Sequence, residues 1–238
     1  MSHHMPHHPL RTGGFTLVEM AIVLVIVALL LGGLLPVISS QIEQQRRNET
    51  RKNLDEIQQA LIGYAIINGT LPCPSTTTDP ADTANYGIAP PTCSVNPTTE
   101  GFLPWKTLGV PEVDAWGIKQ SSTMKGYWRY RVDRNFAAPF ALSTGFSADK
   151  LSVVNNSNSL ITPATSGCLS LNPTSECPIA IVFSTGPNLT ADGKNSSPNT
   201  EVPGVFQSDV PSASFDDILI WISRPQLFNR MVTAGTLP

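Results

Sequence analysis

Beyond position 8 the chain has no histidine: His3, His4, His7 and His8 are the four it contains. The commonest general base is therefore missing from everything that follows. No Gly-x-Ser-x-Gly elbow, phosphate-binding glycine loop or His-Glu-x-x-His helix is present either, and no enzymatic activity is expected. Charge is scarce: 14% of residues are charged and the formal net charge is -3, where about a quarter charged is usual. Such a balance speaks against a nucleic-acid partner and against a disordered chain. There is no internal repeat. There is also no Cys-x-x-Cys spacing, which together with the missing histidines argues against zinc.

What the chain does have includes four cysteines, Cys73, Cys93, Cys168 and Cys177, in loop-like sequence. An even number in that setting points to two disulfides and an oxidising compartment. Four cysteines allow several connectivities, and the sequential one, Cys73–Cys93 with Cys168–Cys177, is favoured. Each bridge would close a short loop and contribute about 2–3 kcal/mol.

The second feature is the run FTLVEMAIVLVIVALLLGGLLPVI, from Phe15 to Ile38, in which Glu19 is the one charge. As a helix it is long enough to cross a hydrocarbon layer of about 30 Å, and it exceeds the apolar core of an ordinary cleaved signal. A carboxylate in that layer costs roughly 3 kcal/mol unless it finds a partner. A cut just before Phe15 would create an amine one helical turn from Glu19, because residues i and i+4 share a face. The amine of a neighbouring chain would serve as well, and a buried charge that only a neighbour satisfies sets the register of an assembly. The basic residues flanking the run, Arg11 before it and Arg46, Arg47, Arg51 and Lys52 after it, reverse the usual cytoplasmic bias.

Gly13-Gly14-Phe15-Thr16-Leu17-Val18-Glu19 resembles the processing site of the type IV pilin and type II secretion pseudopilin superfamily. The resemblance implies a membrane peptidase, prepilin peptidase, that cuts after Gly14 and methylates Phe15. It implies a docking role for Glu19 and a helix bend at Pro36, where such helices commonly carry proline. It implies other pilin or pseudopilin subunits as partners. It further implies a single pass through the inner membrane with the head in the periplasm, and then a place in a pilus or pseudopilus.

After the apolar run, residues 41–53 are polar nearly all round, with Glu43/Arg47, Arg51/Asp55 and Lys52/Glu56 spaced i,i+4. A solvated helix face is preferred there over a basic membrane-surface patch. Leu54, Ile57, Leu61, Tyr64 and Ala65 then recur as the stripe of an amphipathic helix, which Asn68-Gly69 and Pro72 end. One helix from Phe15 to about Asn68 would be roughly 80 Å long. The stretch from Gly69 to Gly117 is rich in proline, threonine and glycine, with Trp105 and Trp116 as structural anchors or, alternatively, as a carbohydrate platform. Strands are predicted at Tyr127–Val132, Lys150–Val154, Ile179–Phe183 and Ile218–Ile222, and Ser184–Ser214 reads as a polar, turn-rich insert.

These elements predict the α+β class, and the resemblance implies a pilin-like fold. Its long N-terminal helix, transmembrane in the first half, packs on a mainly antiparallel sheet. The expected organisation is a leader at 1–14, an assembly helix at 15–38, its amphipathic half at 39–68 and a head at 69–238. No cofactor is required by any motif, but one metal hypothesis stays open: Asn188, Asp192, Asp216 and Asp217 offer hard oxygens of the type calcium prefers, and some pseudopilins bind calcium in a comparable loop. Local turn hydrogen bonds are the competing use for such residues. Asp216 and Asp217, if on a strand, would point to opposite faces. The expected function is a minor pilin or pseudopilin subunit. The alternative is a membrane-anchored binding or adhesive protein, carbohydrate being one candidate ligand, that shares only the anchor.

Overall fold

The computed structural model describes residues 14–93, 100–118, 125–147, 150–161, 177–196 and 204–237, with the side chains of 31–38, 118 and 125 left aside. Helix α1 runs Leu17–Asn68. Its residues up to Gln45 fall in one compact unit, and those from Arg46 onward fall in a second with the rest of the chain.

In the first unit the described apolar side chains are exposed. Leu17 is 92% and Phe15 83% exposed, and Val18, Ile22, Leu24 and Leu29 are also open to the surroundings. Among the described residues no helix is long and apolar enough to cross a membrane. The described side chains of the run stop at Leu30, so its spanning role is taken up below as a proposal.

The second unit is built on the amphipathic part of α1. Leu54, Ile57, Leu61 and Ala65 are fully buried, and Ile62 nearly so. They pack with Tyr130, Val132, Ala180, Val182 and Ile222 on one face of a sheet ordered β1-β4-β6-β8. Its strands are β1 (Gly101–Phe102), β4 (Arg129–Val132), β6 (Pro178–Ser184) and β8 (Ile218–Ser223), all antiparallel to their neighbours. A hairpin, β2 (Val113–Ile118) with β3 (Lys125–Tyr127), stands beside it. The chain is thus α+β, with a helix packed on an antiparallel sheet.

The far face of the sheet is covered too. Strands β5 (Leu151–Val154) and β7 (Gly204–Gln207) form a parallel pair. Leu151, Val153 and Phe206 from this pair meet Ile181, Phe183 and Leu219. Every position of β6 is therefore buried, as its unbroken apolar sequence requires.

Several sequence expectations are revised. The strand predicted at Tyr127–Val132 is two strands, β3 and β4, broken at Trp128. That side chain is fully buried, its indole donates to Pro111 O at 3.0 Å, and its carbonyl accepts from Leu103 N–H. The chain changes sheets at this anchored corner. β7 lies inside the stretch read as a polar insert, and the Gly69–Gly117 region contains β1, β2 and a short helix α2 (Trp105–Leu108). The C-terminal helix α3 (Arg224–Thr233) was not predicted. Ser223 caps it, with its hydroxyl accepting from Gln226 N–H, and Leu227, Phe228 and Met231 are its buried apolar face.

Trp105 and Trp116 are 4% and 7% exposed, which removes the carbohydrate platform and leaves them as anchors. Trp105 stacks on Tyr127 with ring centroids 5.3 Å apart and meets Tyr86 edge-on. Gly87 has φ +68°, and a Cβ there would come within 2.3 Å of the Trp105 ring; glycine at 87 is what lets the ring close down on the loop.

Candidate functional site

Two places gather the chemistry-bearing residues, one in each unit. The first is the start of α1. Thr16 precedes the helix and Glu19 sits in its first turn. The Glu19 Oε2 accepts from the Thr16 amide and hydroxyl, both at 2.9 Å, and Thr16 Oγ1 accepts from Glu19 N–H at 3.2 Å. This reciprocal arrangement is a capping box, which satisfies donors that a helix N-terminus otherwise leaves without intrahelical partners. Sequence reasoning sought a terminal amine for Glu19 and missed Thr16, although Thr-x-x-Glu before an apolar run was the available signal.

Gly14 is exposed, lies outside the left-handed backbone region, and a Cβ there would touch nothing within 4 Å. The fold gives no steric reason for glycine at 14. Phe15 is exposed as well. The side chain of Pro36 lies outside the described residues.

The family comparison agrees with this local geometry: residues 10–35 match the prokaryotic N-terminal methylation motif. The chain carries a type IV pilin or pseudopilin signal motif. Such a motif marks a pilin-like N-terminus of the kind that prepilin peptidase processes. No curated protein and no solved structure matches the chain. The motif covers residues 10–35 alone, so the head is read from its own residues.

The second place is an acidic cluster in the head. Asp192, Asp216 and Asp217 bring carboxylate oxygens within 4.8 Å of one another. Asp216 and Asp217 precede β8 and are not part of it, so strand alternation does not separate them and the sequence expectation is corrected. Asp217 is 3% exposed. Its Oδ2 accepts from Asp192 N–H and from Asn195 Nδ2, both at 2.9 Å. Its Oδ1 is buried and has no hydrogen-bond partner among the described residues. Burial raises the Asp217 carboxyl to about 7; Asp192 and Asp216 push it the same way, and its hydrogen bonds oppose them.

Asn188 is placed differently from the expectation. Its Oδ1 accepts from Thr190 N–H at 2.6 Å in a local turn, and its Nδ2 faces the Asp192 carboxylate at 3.2 Å. Asn195 instead belongs to the site's frame: it is fully buried and tied to β7 through two bonds with Gln207, at 2.8 and 2.9 Å. A buried carboxylate oxygen with no donor, beside two further carboxylates, is a set of hard oxygens that could hold a divalent cation.

Cys73 and Cys93 are bonded, with Cα atoms 5.3 Å apart. Cys177 is also in a disulfide, while Cys168 lies outside the described residues. Another buried carboxylate, Asp114, accepts from Ser184 Oγ at 2.6 Å and from the Trp116 and Gly117 amides. Burial raises it to about 6 against the pull of those bonds.

Proposed function

We propose that the protein is a filament subunit, a minor pilin or pseudopilin, whose work is assembly and not catalysis. Prepilin peptidase cuts after Gly14 and methylates Phe15. The run from Phe15 to Ile38 then holds the subunit in the inner membrane as a single pass, with the head in the periplasm, until it joins a pilus or pseudopilus. One observation carries this reading: from Leu17 to Leu30, α1 exposes all its large apolar side chains and the single carboxylate of Glu19. Such a surface calls for lipid or other apolar helices around it, and its single charge calls for a cationic partner.

Glu19 is the docking residue in this reading, taking up the terminal amine of a neighbouring subunit. In cells that assemble the filament, Glu19→Ala should leave the head folded and remove the subunit from sheared filaments. Unchanged incorporation would overturn the docking role.

The acidic cluster is the head's cation site, with calcium as its occupant. Asp192, Asp216 and Asp217 would hold the ion, which supplies the positive charge that three neighbouring carboxylates need. Bound there, it would join the loop after β6 to the approach to β8. Titration calorimetry with calcium on the wild type and on Asp217→Asn tests this; equal binding by the two proteins would remove the site from the cluster.

A further inference from the structure

The acidic cluster of the head is tied to β7 by one side chain, that of Asn195. This residue is fully buried and ends a tight turn, Gly193–Asn195. The turn is pressed against Gln207: Gly193 has φ +51°, a Cβ there would come within 2.2 Å of Gln207 Oε1, and Lys194 N–H donates to that oxygen at 3.3 Å. Asn195 Oδ1 accepts from Gln207 N–H at 2.8 Å, and its Nδ2 donates to Gln207 O and to Asp217 Oδ2, both at 2.9 Å. Both amide hydrogens are thereby used. The opposite orientation of the amide would set oxygen against oxygen at Gln207 and at Asp217, so the three bonds fix it. On Asp217, Asn195 Nδ2 and Asp192 N–H fall on the same oxygen, Oδ2. The other, Oδ1, is buried and has no hydrogen-bond partner among the described residues.

We infer that Asn195 is a positioning residue for the cation site: it holds Asp217 by Oδ2, leaves Oδ1 for the ion, and makes an occupied site hold the end of β7. The inference rests on the reading of the cluster as a calcium site. Its physical basis is twofold. A carboxylate that is already ordered loses less rotamer freedom when the ion arrives, and partners that orient ligand carboxylates commonly matter about 10–100-fold in metal affinity. Coupling is also reciprocal: what Asn195 contributes to holding the ion, the ion returns to holding Asn195, and with it Gln207. Few side chains could replace it at this length. Aspartate would keep the acceptor and lose both donors, and leucine would lose all three bonds.

The test uses the full chain in detergent micelles, with calcium as the probe. Wild type, Asn195→Ala and Gln207→Ala are compared by titration calorimetry and by hydrogen exchange across β7, with and without saturating calcium. Gln207→Ala removes the side-chain contact with the turn and leaves the backbone groups that Asn195 binds, so it loosens the same place without cutting the tie to Asp217. Asn195→Ala should bind calcium roughly tenfold more weakly, and Gln207→Ala should stay within about twofold of wild type. Calcium should slow exchange at the Gln207 amide roughly tenfold in wild type and in Gln207→Ala. In Asn195→Ala that slowing should be lost even at saturation. Wild-type affinity in Asn195→Ala, or equal weakening by Gln207→Ala, would overturn the role of Asn195 and leave the calcium reading standing. So would calcium protection of β7 that persists in Asn195→Ala, or an Asn195→Ala head that does not fold even with calcium present. A wild-type chain that binds no calcium would remove the reading on which the inference rests.

Discussion

The two units of this chain treat their surfaces in opposite ways. In the head, among the described residues, the edges of the four-stranded sheet and of the β5–β7 pair have something on them. Ser75 exchanges backbone bonds with Phe102 outside β1, at 2.8 and 3.0 Å, and Gln58 of α1 donates to Trp221 O on β8 at 3.0 Å. Ile161 N–H donates to Val153 O beside β5, and Asn195 bonds the backbone of Gln207 on β7. Both faces of β6 are covered. The start of α1 leaves its apolar side chains uncovered and its one carboxylate with only a local partner. Strand edges are the usual place where β proteins pair unintentionally. The proposed assembly role falls on the helix, whose sides are open, and not on these covered edges.

The comparison can be broken most forcefully by separating the units. A chain beginning at Arg46 should be soluble and monomeric and should melt cooperatively, whereas the full chain should need detergent to stay dispersed. Light scattering distinguishes these, and a head that aggregates alone would show that it is not self-contained.

Leu61→Ala tests how far the head depends on the inner part of α1. Removing that fully buried side chain should cost about 2–5 kcal/mol in denaturant unfolding, while Leu29→Ala in the exposed segment should leave head stability unchanged. Smaller is the effect of replacing Cys73 and Cys93 together by serine. The bridge spans a sequence separation of 20, and its loss should cost about 2–3 kcal/mol. Saturating calcium should raise Tm by roughly 3–8 °C, and Asp217→Asn should lose that gain.

The smallest effect concerns Asp114. Its folded value near 6 lies above the ordinary carboxylate value of about 3.9, so the folded head binds this proton more tightly than the unfolded chain does. The associated stability is full below about pH 4 and is lost as pH rises through 6. Asp114→Asn does not titrate, so wild-type stability should fall relative to it by about 1–2 kcal/mol between roughly pH 4 and 7. A difference that stays flat across that range would place the charge of Asp114 in a better solvated setting.

Legibility in the sequence followed the strength of local pattern. Leu54, Ile57, Leu61 and Ala65 repeat at helical spacing, and the same residues are the buried stripe of α1. The central strands β6 and β8 are apolar runs bounded by turn residues, and they too were readable. β7 was not, because Gly204–Gln207 is short and its support is a parallel pairing with β5 more than fifty positions earlier. No local signal encodes that contact. α3 was missed despite Ser223 and Pro225, since its apolar positions are few. At the acidic cluster the carboxylates were legible as a chemical type. The roles of Asn188 and Asn195 were not, because they depend on which way each amide turns, Asn188 toward Thr190 and Asp192 and Asn195 toward Gln207 and Asp217.

The account stands or falls on the first residue of the mature chain. Mass spectrometry of the protein purified from membranes should find an N-terminus at Phe15 carrying one methyl group, with residues 1–14 absent. A mature chain that begins anywhere else, or that keeps its leader in assembled material, would contradict the account.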